Sequence, residues 1–586
     1  MFLMYSVSFK SATIGNLIFG ENVRSVGSYL FYTEAVQSSV SWVSPTITSI
    51  EFKGESIDSI GKYAFANVKG LKSLTLPIVQ SLGSYAFDNC NQIETLVSHS
   101  DGTSIVINAH ATLKSATVYG DLPADIFNGY TNLSSVTLYD TKTIGQNAFY
   151  NCTSLTELTI PDSVTSIGEM AFSNASALQS LRLPSGITEI REKTFYGCSA
   201  LTDLTIPDGV TFIGSSAFDQ SGLTTVNIPN SLEKAFDDSF TGLSIPTKTE
   251  NGVKYYGNED NPYLILVSAK TWATSFETKP ETRIILSTAL ADNETVKSVV
   301  LSENVTYING GAFNREYVTA IVVEKGNLKY EVRDKILYDL SPLEIVFAPK
   351  NLSGNITVYA YCDLLLQNCP NLTGVTFAET VTYVHPYALN GSKENITHLA
   401  VKNPSASLES VQNVRILSGM GKLEYLEMPL SDSLGEYFGV NAFDGAVAVK
   451  QTYGFVTSGF TTSLTSKTYY IPANLKTVVV TKSYGLGSYG RPSSYGAYSY
   501  WGYFENCTML QEVTVRGVEE IARQAFFKCS NLTKVTLGED VKKICFTAFE
   551  SCRNIQSIYL EGGQAQRNSL YVENDYDSFI TNRLTW

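Results

Sequence analysis

Residues 155–177 are LTELTIPDSVTSIGEMAFSNASA, residues 178–200 are LQSLRLPSGITEIREKTFYGCSA, and residues 201–222 are LTDLTIPDGVTFIGSSAFDQSG. Aligned beneath one another they repeat with a period of 23 residues, and Phe149, Phe172, Phe195 and Phe218 keep that period without a slip. Phe65, Phe87, Phe127, Phe504, Phe526 and Phe549 fill the same place elsewhere. A period of about 20–29 residues carrying L-x-x-L-x-L is the signature of a leucine-rich repeat.

Each position in the unit has a physical reason. Leu158 and Ile160 alternate with Glu157 and Thr159, the period-2 pattern of a half-buried strand. Pro161, Pro184, Pro207 and Pro229 follow the strand. Proline brings no N–H to a ladder, so it closes the strand. A second apolar pair such as Val164 and Ile167 predicts a short strand and a turn, and the Phe after Ala points inward. One such unit cannot bury its apolar face alone. Stacked units bury continuous ladders of Leu, Ile and Phe, with strands about 4.8 Å apart. The sequence therefore predicts a mainly β repeat solenoid with a curved parallel sheet, short helical or 3-10 turns and β-hairpin insertions.

The cysteines keep the same frame. Cys90, Cys152, Cys198, Cys507, Cys529 and Cys552 each lie three residues after the repeat Phe, and Cys369 lies three after Leu366. Zinc sites would show C-x2-C pairs, and the chain has none. Laddered side chains point in parallel rather than at each other, which disfavours disulfides. These residues are read as small thiols buried in the turns.

The repeat resembles the BspA-like leucine-rich-repeat family of bacterial surface proteins. LTELTIPDSVTSIGEMAF (155–172) and NLTKVTLGEDVKKICFTAFESC (531–552) carry the likeness, because proline after the strand and AF-x-x-C recur together. Clear repeats cover roughly 47–240 and 505–560. The resemblance implies a protein at the cell surface or secreted. It implies adhesion to proteins or glycans on host or neighbouring cells.

The frame divides the chain into a repeat array over 1–240, irregular at 1–46 and 91–126, and degenerate repeats with β-hairpin islands over 241–356. Degenerate repeats follow over 357–482, a Tyr/Gly/Ser-rich loop over 483–503, regular repeats over 504–560, and a tail or incomplete repeat over 561–586. The islands are GVKYYGNEDNPYLILVSAK (252–270) and ILYDLSPLEIVF (336–347), each with turn residues between apolar strands.

Composition bounds the function. The 586 residues carry a formal net charge of −14 with no basic cluster, which argues against nucleic acid. No stretch reaches the roughly 18 apolar residues of a membrane span, so membrane attachment would need an anchor outside this chain. Met1 to Lys10 is not read as a signal peptide, lacking a basic start and a sustained apolar core. The four histidines fit no H-E-x-x-H or nucleophile motif and are read as isolated turn or surface residues. Gly485, Gly487 and Gly490 match G-x-G-x-x-G, but Arg491-Pro492 follows where a dinucleotide site needs a helix. Twelve N-x-S/T sequons largely restate the repeat's turn. The chain is read as no enzyme and as binding no cofactor or metal.

The candidate site is the loop SYGLGSYGRPSSYGAYSYWGY, residues 483–503. Leu475 to Phe504 spans 29 residues where Leu155 to Phe172 spans 17, so 12 loop out. Tyr and Trp give large contacts at low entropy cost while Gly and Ser let the backbone adapt, the mixture of antibody loops. Tyr495, Tyr498, Tyr500 and Trp501 are the predicted contacts. A low-complexity insertion without a role is the competing reading, and binding by the outward strand residues is a third. The leading function is a non-catalytic surface or secreted adhesin; the alternative is an intracellular or structural interaction scaffold.

Overall fold

The computed structural model describes residues 13–31, 46–99, 112–361, 364–385, 387–407, 417, 419–430, 448–458, 461–471, 473–483, 504–575 and 578–586. The chain forms two compact units. The first comprises Met1–Thr271, Thr278–Asp292 and Asn304–Ala312, and the second Trp272–Glu277, Asn293–Glu303 and Phe313–Trp586. Each is a parallel-sheet solenoid.

In the first unit a seven-stranded parallel sheet runs through Thr13–Phe19, Thr46–Phe52, Ser73–Leu76, Thr95–His99, Ser115–Tyr119, Ser135–Tyr139 and Glu157–Leu158. Neighbours pair one repeat apart, as Val136 with Leu158 and Ala116 with Val136. Strand length follows the prolines. The coils without proline at the strand end carry five-residue strands, such as Ser115–Tyr119 and Ser135–Tyr139. Where Pro161, Pro184 and Pro207 stand, the strand shrinks to two residues or to the single bridge Ser180–Asp203, because proline leaves the ladder without a donor. The second apolar pair forms two-residue strands, Glu189–Ile190, Phe212–Ile213 and Lys234–Ala235, again parallel.

The core is a set of columns. Phe127, Phe149, Phe172, Phe195 and Phe218 stack with centroids 5.6, 5.4, 5.6 and 6.0 Å apart and planes within 22° of parallel. Phe31, Phe65 and Phe87 form a second run. All are buried.

The turn that carries each Phe is neither strand nor helix. The residues two before and two after Phe take left-handed backbone, as in Met170 (φ 54) and Asn174 (φ 59) around Phe172. Through the turn, alternate N–H groups cross to the next coil: Asn147 to Glu169, Phe149 to Ala171 and Asn151 to Ser173, at 2.8–3.0 Å. The intervening ones close tight turns, as Cys152 N–H to Phe149 O at 3.2 Å. Left-handed residues flip every second peptide, and that alternation puts donors on both sides. Asn and Gly tolerate this conformation. At Gly197 (φ 70) a Cβ would also meet the Asn174 side chain at 2.2 Å.

This geometry explains the cysteine place. Five of the seven thiols in this frame donate to the carbonyl of the Phe one coil back: Cys90 to Phe65 at 3.2 Å, Cys152 to Phe127 at 3.1 Å, Cys198 to Phe172 at 3.1 Å, Cys529 to Phe504 at 3.0 Å and Cys552 to Phe526 at 2.9 Å; Cys369 instead lies 3.8 Å from Pro349 O. Ser392 stands in the same place and donates to Leu366 O at 2.7 Å. The eight described cysteines are all free and buried.

Both islands are three-stranded antiparallel meanders rather than simple hairpins. In the first unit Thr247–Glu250, Val253–Tyr256 and Ile265–Ala269 form one, and the last strand joins the parallel ladder at Ile284–Ile285. In the second unit Tyr330–Arg333, Ile336–Leu340 and Leu343–Phe347 form the other. That unit continues as a nine-stranded parallel sheet from Ser353–Val358 to Leu584–Thr585, with the Phe504, Phe526 and Phe549 column beneath. The last residues complete a further turn. The helix Gly563–Ser569 sends the buried Gln566 amide to Gly538 O (2.6 Å) and Val541 O (3.2 Å), which satisfies the carbonyls of the final regular coil.

Phe195→Ala removes a ring from the middle of a column and is expected to cost about 3–5 kcal/mol. In a quasi-one-dimensional core the damage centres on adjacent coils. Hydrogen exchange should therefore speed up between Phe172 and Phe218 and stay unchanged at Phe526; uniform loss of protection would contradict the column picture.

Burial pushes the Cys90, Cys152 and Cys198 thiols from 9.0 up to about 12. Folded protein at pH 8 should react slowly with a thiol reagent and fully once unfolded. Because the folded values lie above the unfolded one, these thiols favour the fold below pH 9.0. That contribution is lost as pH rises toward 12. Rapid labelling of native protein would count against buried, hydrogen-bonded thiols.

Candidate interaction surface

Tyr495, Tyr498, Tyr500 and Trp501, the predicted contacts, lie outside the described residues, as does the G-x-G-x-x-G stretch. The strand before them, Thr477–Ser483, pairs in register with Glu512–Val515, and the chain re-enters at Phe504 in its column. Outward residues of both long parallel sheets lie among the described residues.

Because side chains alternate along a strand, every coil presents two or three residues outward, and register aligns them into ranks. In the first unit one rank is Ser73, Thr95, Ser115, Ser135 and Glu157, and the next is Thr75, Val97, Thr117 and Thr137. The third ends in an aromatic ladder. His99 stacks on Tyr119 at 4.4 Å and 8°, and Tyr119 on Tyr139 at 4.8 Å and 15°. The spacing is that of the strands, so backbone pairing sets it. His99 Nδ1 lies 3.2 Å from Leu76 O, and Tyr139 remains 46% exposed. Further along, an open depression of about 470 Å³ lies against Arg182, Asp203 and Thr205.

In the second unit one rank runs Asn355, Gly374, His398, Tyr425, Thr477, Glu512, Lys534 and Ser557. His398 stacks on Tyr425 at 4.2 Å and 10°. The Tyr425 hydroxyl donates to Glu427 at 2.6 Å, and the same carboxylate oxygen accepts Lys402 at 2.6 Å. Glu427 is nearly buried, with 9% of its side chain accessible. Burying a carboxylate is tolerated when it is paired and hydrogen-bonded. Arg516 grips both carboxylate oxygens of Glu561, with bonds of 3.1, 2.9 and 2.6 Å.

The electrostatics follow from this packing. Burial, then the bond to Glu427 and its charge, raise the Tyr425 phenol well above its ordinary range. Burial, then the Lys402 ammonium, lower the His398 imidazole below 6.5, against an opposing pull from Glu427. Both groups are neutral at pH 7. The histidines are thus not all isolated: His99 and His398 sit on strands, each flat against a tyrosine. The sequence signal was weak because the pairing is set by register across irregular repeats. Among the described residues no group of three or more His, Cys, Asp or Glu is placed to hold a metal ion. Among them, too, no helix is long and apolar enough to cross a membrane.

Parallel coils, an inward Phe column and outward ranks define a leucine-rich-repeat solenoid. The chain belongs to the family of BspA type leucine rich repeat regions, whose model matches residues 35–118, 120–245, 269–397 and 501–573 in six copies. No curated protein matches it. Similar solved structures include a leucine rich cell surface protein from Faecalibacterium prausnitzii, 17% identical over 83% of this chain and 94% of that one, with TM-score 0.19. A leucine-rich repeat protein from Bacteroides ovatus is 19% identical over 76% and 88%, with TM-score 0.20. The leucine rich repeat protein of T. pallidum is 24% identical over 30% and 76%, with TM-score 0.21.

The His398 ring should titrate below 6.5 when followed by its imidazole proton shifts. Because the folded value is lowered, its neutral form supports the fold above pH 6.5 and that support fades as the solution is acidified. A midpoint at or above 6.5 would show that the ring is not desolvated against Tyr425.

Proposed function

We propose that this chain is a non-catalytic binding protein, at the cell surface or secreted, that adheres to proteins or glycans on host or neighbouring cells. The supporting observation is the outward face of the sheets. It offers hydroxyl ranks and a half-exposed aromatic ladder at strand spacing, held by a core that owes nothing to them. A rigid array of this kind binds extended macromolecules better than it encloses small ones. Tyrosine adds large amphipathic contacts at little entropic cost. The Tyr-rich loop 483–503 remains the second candidate contact, through Tyr495, Tyr498, Tyr500 and Trp501. An intracellular interaction scaffold is the alternative, favoured by the eight free thiols among the described residues, since secreted proteins more often pair theirs.

The test uses labelled protein on epithelial cells, neighbouring bacteria, and arrays of matrix proteins and glycans. Tyr119→Ser with Tyr139→Ser should weaken binding at least about tenfold, roughly 1.4 kcal/mol or more, with unchanged melting. Tyr498→Ser, Tyr500→Ser and Trp501→Ser together test the loop separately. Full binding by both variants would remove both surfaces from consideration, and binding to none of these targets would favour the intracellular reading.

A further inference from the structure

On the second-strand face of the first unit, three rings surround one ammonium. Lys234 Nζ lies 5.5 Å from the centre of Phe212, 5.3 Å from Phe236 and 5.0 Å from Tyr307. Phe236 stands at 86° to Phe212 and at 89° to Tyr307, with centroids 6.0 and 5.9 Å apart. Phe236 thus stands edge-on between the other two rings, the three form walls around the ammonium, and aromatic faces draw cations. Other lysines among the described residues meet one ring each, as Lys254 meets Tyr256 and Lys297 meets Tyr317. The three-ring arrangement is therefore not a general habit of the surface.

The box is built before any ligand arrives. Phe212 and Lys234 are neighbours in a parallel ladder. Tyr307 comes from a strand far along the chain and is tied in by hydrogen bonds that bracket it. Thr306 Oγ1 donates to Glu233 O at 2.8 Å. Asp237 accepts Ser287 N at 2.9 Å and Asn309 Nδ2 at 3.1 Å. Those bonds also fix the Asp237 carboxylate close enough to Tyr307 to help raise its phenol, after burial. Asp237 is exposed and its charge is felt at Tyr307, so a carboxylate beside the box attracts positive charge.

Lys234 is a poor match for what it occupies. Its side chain is exposed, and its ammonium makes no hydrogen bond or salt bridge to any described residue. A primary ammonium is strongly hydrated and wants acceptors, whereas ring faces offer none. A quaternary ammonium carries no N–H, needs no acceptor and gives up weaker hydration, so it suits the same walls better. We propose that Phe212, Phe236 and Tyr307 form a binding site for a quaternary ammonium group, with Lys234 as a resident cation that the ligand displaces. The site stands apart from the outward sheet ranks, and its failure would leave the adhesion reading untouched.

The test is choline binding by ligand-observed NMR, in which ring currents move the N-methyl protons upfield. The wild-type chain should bind choline, and Lys234→Ala should bind it at least about tenfold tighter because the internal competitor is gone. Phe236→Ala in the Lys234→Ala background should abolish the upfield shift, while Tyr307→Phe keeps it because the ring remains. The neutral isostere 3,3-dimethylbutanol should not bind. Vesicles of phosphatidylcholine, against vesicles without that headgroup, separate a membrane-borne source from the free ligand. Equal affinity of wild type and Lys234→Ala, or equal binding of choline and its neutral isostere, would overturn the proposal. Should Phe236→Ala unfold, loss of affinity in Phe236→Leu serves in its place, and retained affinity there counts against the box.

Discussion

Everything in each unit depends on how one turn is coupled to the next. At each coil the chain must reverse around a buried phenylalanine while satisfying backbone groups that neither a helix nor a sheet takes care of. The structure solves this by left-handed residues on both sides of the Phe, which send alternate N–H groups to the adjacent coil. The stacked rings fill the space between, and the cysteine or serine three residues on closes the remaining Phe carbonyl. None of these devices works in a single coil. Each needs its neighbour, so the repeat is stable only as an array.

The same coupling can be met without a Phe. Each coil leaves apolar residues and carbonyls for its neighbour to receive. In the second unit the helix Gly563–Ser569 stands where other coils have a Phe turn. Gln566 reaches back to two carbonyls of the preceding coil, and Arg583 donates to Ile555 O at 2.6 Å. Polar side chains here do what backbone donors do between regular coils.

Much of this was legible from residues alone. The period, the inward Phe, the strand-closing proline and the cysteine place each follow from one side chain's chemistry repeated in frame. Asn and Gly two residues after Phe announce left-handed backbone. The matching residue two before Phe does not: Tyr63, Met170 and Lys193 hold positive φ there although nothing in their type favours it. Bonds from the neighbouring coil impose that conformation, and single-residue propensity cannot register them. The outward ladders were hidden for a related reason. His99 and Tyr119 are partners because Ser98 pairs with Val118, across a stretch whose repeat spacing is irregular. The aromatic box joins Phe212 to Tyr307, residues that only the tertiary arrangement brings together.

A core of this kind leaves the outer surface free to vary. The inward columns carry the stability, and exposed ion pairs such as Lys542 with Glu519 add little, because water screens them and holding two long side chains costs entropy. Insertions are absorbed equally well. Val513 pairs with Val535 across a single repeat, yet Leu426 pairs with Val478 in the same register although the hairpin Ala448–Ser458 and Thr461–Ile471 lies between them in sequence. Closing a longer loop costs only about 0.6 kcal/mol per doubling of length, far less than the packing of one buried ring. The array can therefore carry extra chain between coils without losing alignment. Loops and ranks of outward residues become the natural places for recognition, and the Phe turns the places where sequence must stay in frame.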